Sequence, residues 1–279
     1  MYKNEVKNVY KSYFDDETRK KLEGIDDTIF EIRIRLGRKV VVSASNGEIV
    51  LDVMADSSYI NNLFKRIVSN SVYALKNEIE KGYITIEDGS RVGFCGRCVT
   101  EKGEIINITD INSINFRIAN DFSVCSDSLL EAIKGNTLII GPPGCGKTTL
   151  LRDVARKISK YKNVSVVDER GEIFPVYNQQ SVFMMNGKCD VMTGCEKNKG
   201  VELVIRTMNP SVVVFDEIQP EKELVCVKNA VNSGVDIITT VHGRDVADIK
   251  AKISEVYAIF DTAVIMSPKK EVKEIICLN

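Results

Sequence analysis

One stretch limits the fold of this chain more than any other. Residues 136–159 read NTLIIGPPGCGKTTLLRDVARKIS. An apolar run enters a glycine-rich turn, and a segment with helical periodicity leaves it. The turn matches G-x-x-x-x-G-K-[ST] at Gly141, Gly146, Lys147 and Thr148. A strand before the turn and a helix after it give the pattern a mechanism. Glycines let backbone N–H groups curl around phosphates with no Cβ in the way, and the helix N-terminus adds positive dipole. The candidate nucleotide-binding residues are therefore Gly141, Pro142, Pro143, Gly144, Cys145, Gly146, Lys147, Thr148 and Thr149. Lys147 is expected to reach the β- and γ-phosphates of ATP, and the Thr148 hydroxyl to bind Mg²⁺.

Strand and helix patterns alternate from here to the C-terminus. NVSVVDE, SVVVFDE and VDIITTVH read as apolar strands; GVELVIRTM and KELVCVKNAVNSG read as helices, and TAVIMSPKKEVKEIICLN as a closing hairpin. The expected class is α/β, with a mostly parallel sheet covered on both faces. Ligands collect at the carboxyl ends of such strands. Three strands end there in polar residues. SVVVFDE ends in Asp216, a candidate Mg²⁺-shell residue, and Glu217, which could polarise a water. VVDERGEI carries Asp168, Glu169 and Glu172, one of which is a candidate base, because acidic groups beside a triphosphate are costly unless a cation or a water needs them. VDIITTVH ends in His242, the only histidine of the chain, with Thr240 two residues before it. An imidazole at that edge could hydrogen-bond a γ-phosphate and report its loss.

The first half is built differently. All six prolines lie at or beyond position 142. TIFEIRIRLG alternates, with Ile32, Ile34 and Leu36 expected on one face and Arg33 and Arg35 on the other. KVVVSASNGEIVLDV reads as two strands about an Asn-Gly turn. Residues 56–80 read as helical, with Ile60, Phe64 and Ile67 on one stripe. GYITIEDGSRVGFCGRCVTEKGEIINITD reads as strands with Asp-Gly and Lys-Gly turns, INSINFRIA as a further short strand, and SDSLLEAIKG as a helix closed by Gly135. The expected division is an α+β domain over 1–124 and a nucleotide-binding domain over 125–279.

Composition narrows the partners. The 38 Lys and Arg nearly balance 39 Asp and Glu, and there is no tryptophan, so there is no strong signal for nucleic-acid binding. No apolar run approaches the roughly 20 residues of a spanning helix, and the polar first residues lack a signal-peptide centre. A soluble cytoplasmic chain is expected, with membrane contact only through a partner. Cys95 and Cys98 form a lone C-x-x-C, with no second pair to complete a zinc site; they, Cys189 and Cys195 read as ordinary thiols of a reducing compartment. Cys145, inside the glycine turn, is left open to alkylation.

Taken in order, GPPGCGKT, VVDERGEI, VVVFDEIQ and TTVHG resemble the Walker A, Asp-box, Walker B and His-box segments of the ATPases of type II and type IV secretion systems and pilus motors. With the flanking EIRIRLGR, GYITIEDGSRVGFCGR, INFRIA and DVMTGCEKNKGVELVIRTMNPSVVVFDEI, the chain more closely resembles a sporulation family of endospore-forming bacteria within that group, over about residues 28–279. The resemblance implies a RecA-like P-loop NTPase domain with a smaller N-terminal α+β domain, working as a homo-oligomer, a hexameric ring with nucleotides near subunit interfaces. By it, Glu172 matches the Asp-box glutamate that holds the attacking water, Glu217 the Walker B glutamate and His242 the His-box histidine. Many secretion ATPases have a small residue where Asp216 stands here, which leaves open whether Glu172 or Glu217 is the base. The family also brings arginines near the γ-phosphate; the candidates are Arg33, Arg35, Arg91, Arg97 and Arg117 from the first domain, and Arg206 before the Walker B strand. The implied partners are membrane-embedded sporulation channel proteins, met from the cytoplasm of the mother cell. A nucleic-acid-dependent RecA-like ATPase and an ATP-binding scaffold with little turnover are the alternatives.

Overall fold

The computed structural model of the chain describes residues 2–3, 8–68, 82–177, 180–183, 185 and 187–278. These fall into two compact units, Glu5–Asn120 with Tyr177–Val182, and Met1–Asn4 with Asp121–Val176 and Phe183–Asn279.

In the first unit the helix α1 (Asp16–Glu23) precedes three strands, β1 (Ile29–Arg35), β2 (Arg38–Ala44) and β3 (Gly47–Ala55). The helix α2 (Ser57–Val68) follows, then β4 (Tyr83–Thr85), β5 (Arg91–Glu101) and β6 (Glu104–Arg117). The six strands form an antiparallel sheet in the order β3-β2-β1-β6-β5-β4. Its apolar face buries Ile32, Ile34, Val92, Phe94, Ile114 and Phe116 beneath α2.

Several local expectations shift. Leu36 lies beyond the end of β1 and is 48% exposed, so the core face stops at Ile34. Ala44 pairs with Gly47, so the two turn residues are Ser45 and Asn46 rather than Asn-Gly, and Gly47 starts the next strand. The buried stripe of α2 is Ile60, Leu63 and Ile67, with Phe64 half-buried; the remainder of the helical expectation, 69–80, lies outside the described residues. INSINFRIA is no separate strand but the second half of the 14-residue β6. The strand runs past a left-handed residue, Asp110, at a register shift against β5 between the Cys95–Ser113 and Arg97–Thr109 pairs, while β1 pairs only with Ser113–Arg117. The Lys-Gly turn at Lys102 and Gly103 is present, both with positive φ, as a two-residue hairpin turn of this twist requires.

The second unit opens with α3 (Asp127–Ala132), capped by the Ser126 hydroxyl. It continues through β7 (Thr137–Gly141), α4 (Lys147–Ile158), β8 (Val164–Asp168), β9 (Cys189–Thr193), α5 (Lys197–Met208) and β10 (Val212–Phe215). It ends with α6 (Pro220–Asn232), β11 (Asp236–His242), α7 (Val246–Lys252), α8 (Val256–Ile259), β12 (Thr262–Met266) and β13 (Val272–Cys277). The seven strands lie in the order β9-β8-β10-β11-β7-β12-β13, all parallel except the last, which returns antiparallel on β12. Every residue of β7, β8, β10 and β12 is buried, which is why these strands read as continuous apolar runs. Leu138, Ile140, Val213, Phe215, Ile237 and Val241 pack with α5 to α8. The alternate residues point to the other face, where α4 packs against β7, β8 and β11. At Gly200 a Cβ would lie 2.5 Å from Val167 Cγ1, so α5 approaches β8 closely only because that position is glycine.

Candidate functional site: a phosphate cradle and its acidic edge

The cradle is the connection from β7 to α4. Gly144 and Gly146 have φ of 73° and 93°, left-handed values that favour glycine. Gly141 is needed for space, since a Cβ there would sit 2.6 Å from Cys145 Sγ. Cys145 is itself 1% exposed, so the thiol left open to alkylation by the sequence packs under the loop instead. All eight cysteines are free thiols.

Lys147, the first residue of α4, folds back over the cradle. Its Nζ donates to the carbonyl oxygens of Gly141 and Pro142, both at 2.9 Å, and lies 3.0 Å from His242 Nδ1. Burial lowers the Lys147 pKa, and the nearby Cys145, Asp216 and Glu217 oppose that effect. An ammonium has only protons to offer, so Nδ1 of His242 is the acceptor and Nε2 carries the ring proton. Nε2 faces Glu217 Oε1 at 3.3 Å. Lys147, His242 and Glu217 thus form a chain of polar groups along the carboxyl edge of β7, β11 and β10. His242 is 43% exposed there, so it is not a core histidine.

Beside this chain, Thr148 Oγ1 donates to Asp216 Oδ2 at 2.6 Å. Asp216 Oδ1 accepts from the Thr240 hydroxyl and, at 3.0 Å, from the N–H of Glu217. The Glu217 N–H also reaches Thr240 Oγ1 at 2.9 Å. Glu217 has a φ of 47°, a conformation that is costly for a side-chain-bearing residue and that gathers at functional positions. Two oxygen donors, Thr148 and Asp216, sit at the mouth of a cradle shaped for phosphates. That donor set suits Mg²⁺, which takes few protein ligands and fills its shell with phosphate oxygens and water.

The third acidic segment is arranged for support. Asp168 is buried at the end of β8, and its carboxylate accepts from the N–H groups of Glu172, Ile173 and Phe174 at 2.8–2.9 Å. Burial raises its pKa against the pull of those donors. Asp168 therefore shapes the turn that carries Glu172. Arg152, one turn beyond Thr148 on α4, donates to the carbonyls of Glu172 and Ile173 and stacks 4.3 Å from the Phe183 ring. Glu172 is half-buried and Glu169 exposed. Thr149 lies in the first turn of α4.

The arginines divide. In β1, β6 and β5 the register sets Glu31, Arg117 and Arg91 in one row, and Arg33 and Arg35 project from the same face of the sheet. Arg33 is held by Glu31 at 2.7 Å, and Arg91 stacks 5.2 Å from the Tyr83 ring. Arg97, past a register shift, pairs with Thr109 on the outer part of the hairpin. Arg206 is exposed in the last turn of α5, roughly 13 Å along the helix from Lys197.

Four residues of this unit carried no signal in the sequence reading. Arg152 looks like any cation on an amphipathic helix. Lys197 donates to the Glu217 carbonyl from the start of α5. Asp121 accepts a bidentate pair of bonds from Arg156 at 2.6 and 2.7 Å, and Asp153, buried, accepts from the N–H groups of Val124 and Cys125, both at 2.7 Å.

Residues 10–278 match the family model described as "Sporulation stage III, protein AA". The chain belongs to that family. It is 35% identical over 236 residues to the stage III sporulation protein AA of Bacillus subtilis (strain 168), covering 81% of this chain and 77% of that protein. Among solved structures, the ATPase DotB of Legionella pneumophila superposes with a TM-score of 0.61 at 15% identity, over 89% of this chain and 75% of DotB. The pilus retraction motor PilT superposes with a TM-score of 0.60 at 13% identity, over 88% of this chain and 76% of PilT. This chain therefore shares the RecA-like P-loop fold of these secretion ATPases. No helix among the described residues is long and apolar enough to cross a membrane.

Proposed function

We propose that this protein is a Mg²⁺-dependent ATPase that turns ATP hydrolysis into mechanical work. The reading extends to a homo-oligomeric ring, hexameric by resemblance, at the cytoplasmic face of a mother-cell membrane. There it powers or assembles the channel complex between mother cell and forespore through membrane-embedded sporulation proteins. The observation that carries the reading is the line from Lys147 through His242 to Glu217, set beside the Thr148–Asp216 pair at one edge of a parallel sheet. The pilus motor with the same fold was solved with ADP bound, which supports the choice of nucleotide.

Each residue has a task in this scheme. The N–H groups of the Gly141–Thr148 turn hold the phosphate oxygens. Lys147 gives up its two carbonyl acceptors for the β- and γ-phosphates. Thr148 and Asp216 would hold Mg²⁺, which supplies charge neutralisation for the phosphates when bound. Glu217 accepts a proton bond from water and aligns it for in-line attack. It is favoured over Glu172 because its carboxylate is already tied to the lysine of the cradle through His242. When the γ-phosphate leaves, Lys147 returns to His242 Nδ1, so the imidazole reports the nucleotide state.

ATP turnover and native mass with Mg²⁺–ATP, measured for the parent, Lys147→Ala and Glu217→Gln, test the reading. Lys147→Ala should not bind nucleotide. Glu217→Gln should bind and stall, and should accumulate as a ring. Normal hydrolysis by Lys147→Ala would remove the cradle from the mechanism.

A further inference from the structure

The peptide of Glu217 is held from both ends. On its amino side, the N–H donates to Thr240 Oγ1 at 2.9 Å and to Asp216 Oδ1 at 3.0 Å. On its carboxyl side, Lys197 Nζ donates to the Glu217 carbonyl oxygen at 2.5 Å. The next residues are tied as well: Ile218 N–H donates to the Thr240 carbonyl at 2.7 Å, and Gln219 N–H to the Glu223 carboxylate. Glu223 Oε1 lies 3.9 Å from Lys197 Nζ, so the ammonium sits between a carboxylate and the Glu217 carbonyl. Only 13% of the Lys197 side chain and 9% of the Glu223 side chain are exposed. A lysine is almost never so enclosed without partners that need its charge.

This clamp closes on a residue with a strained backbone. Glu217 has φ 47°, and an L-residue leaves that region unless its surroundings over-determine it. Relaxation of φ would swing the Glu217 carboxylate away from His242 Nε2. Thr240 holds the Glu217 N–H through its hydroxyl and the Ile218 N–H through its carbonyl, whereas the Glu217 carbonyl oxygen itself is held by Lys197. We propose that Lys197 is a positioning residue for Glu217. Its ammonium holds the Glu217 carbonyl, and with it the left-handed backbone, so that the carboxylate stays aimed at the phosphate cradle. Lys197 comes from α5 rather than from the strand it serves, so movement of the α5 N-terminus relative to β10 would release the glutamate.

The proposal rests on the ATPase reading of Glu217, and the experiment separates the two. The full-length chain is compared as parent, Lys197→Met, Lys197→Arg, Glu217→Gln and the Lys197→Met/Glu217→Gln pair. Steady-state kcat and KM for Mg²⁺–ATP are measured, with binding of a fluorescent ATP analogue and thermal melting alongside. Lys197→Met should lower kcat on the order of 10–100-fold with KM and analogue affinity unchanged, the loss expected when a reacting group drifts by about an ångström. Lys197→Arg, which keeps a cation at the carbonyl, should recover most of kcat. Lys197→Met should add nothing to Glu217→Gln. If Glu217→Gln stalls and Lys197→Met turns over like the parent, the positioning role is wrong and the ATPase reading stands. A lowered melting point with kcat unchanged, or a loss of kcat that Lys197→Arg does not recover, would also overturn it. If Glu217→Gln itself turns over fully, the ATPase role of Glu217 fails and the positioning role fails with it. If Lys197→Met does not fold, Glu223→Gln, which leaves the ammonium without its carboxylate, takes its place with the same expected split.

Discussion

The Thr148 hydroxyl donates to Asp216 Oδ2 at 2.6 Å, joining the first turn of the cradle helix to the end of a strand 68 residues later. The two oxygens that would hold Mg²⁺ are therefore neighbours before any cation arrives. Binding of Mg²⁺ has to replace this hydrogen bond, and the cost of that exchange makes metal and nucleotide affinity depend on each other.

Removal of the metal should reveal that linkage. Chelation of Mg²⁺ should weaken ATP binding to the parent by at least about tenfold, or ~1.4 kcal/mol. Thr148→Val should bind ATP equally weakly with and without Mg²⁺. Titration of a fluorescent ATP analogue in Mg²⁺ and in EDTA decides this. A Thr148→Val chain that still gained affinity from Mg²⁺ would place the cation elsewhere.

Glu217 offers a separation of stability from activity. Its φ of 47° suits glycine far better than glutamate. Glu217→Gly should therefore abolish turnover while raising stability by up to about 1 kcal/mol. Urea unfolding and ATPase assays on the same preparation check both parts. A destabilised Glu217→Gly would mean that the strain is absent.

His242 should be dispensable for folding. Its ring is 43% exposed, and without it Lys147 keeps two carbonyl acceptors and the Glu217 carboxylate, 42% exposed, can turn to water. Loss of the ring in His242→Ala should cost less than about 1 kcal/mol of stability. Turnover or nucleotide-dependent assembly should nevertheless fall. A drop in melting temperature of the size produced by a core mutation would return His242 to a purely structural role.

Asp168 should behave in the opposite way. Its buried carboxylate accepts three backbone N–H bonds, and an amide cannot accept all three. Asp168→Asn should cost on the order of 2 kcal/mol, read by urea unfolding, and should loosen the turn that bears Glu172. Wild-type stability in that variant would contradict the supporting role.

Much of the second unit was legible because its signals are local. Four apolar residues before Asp216, three before Gly141 and the glycine spacing of the turn each act over a few residues. Burial on both faces then forces the runs to be continuous. The first unit was less legible where short-range turn signals competed with ladder pairing. Asn46-Gly47 looks like a hairpin turn, yet the register moved it by one residue. Asp110 looks like a strand end, yet pairing with β5 on both sides of a register shift continues β6 past it.

The contacts that make the edge a site were not legible at all. Lys147 meets His242 across 95 residues of chain because β7 and β11 are neighbours in the sheet, and Lys197 reaches Glu217 because α5 crosses the end of β10. From its residues alone the chain could specify strands, helices, a phosphate-shaped turn and polar strand ends, since backbone preference and hydrophobic period are properties of short segments. Which strand lies beside which is set by the packing of the whole sheet and its helices. That packing alone turned a lysine, a histidine and two carboxylates, far apart in the chain, into one connected group.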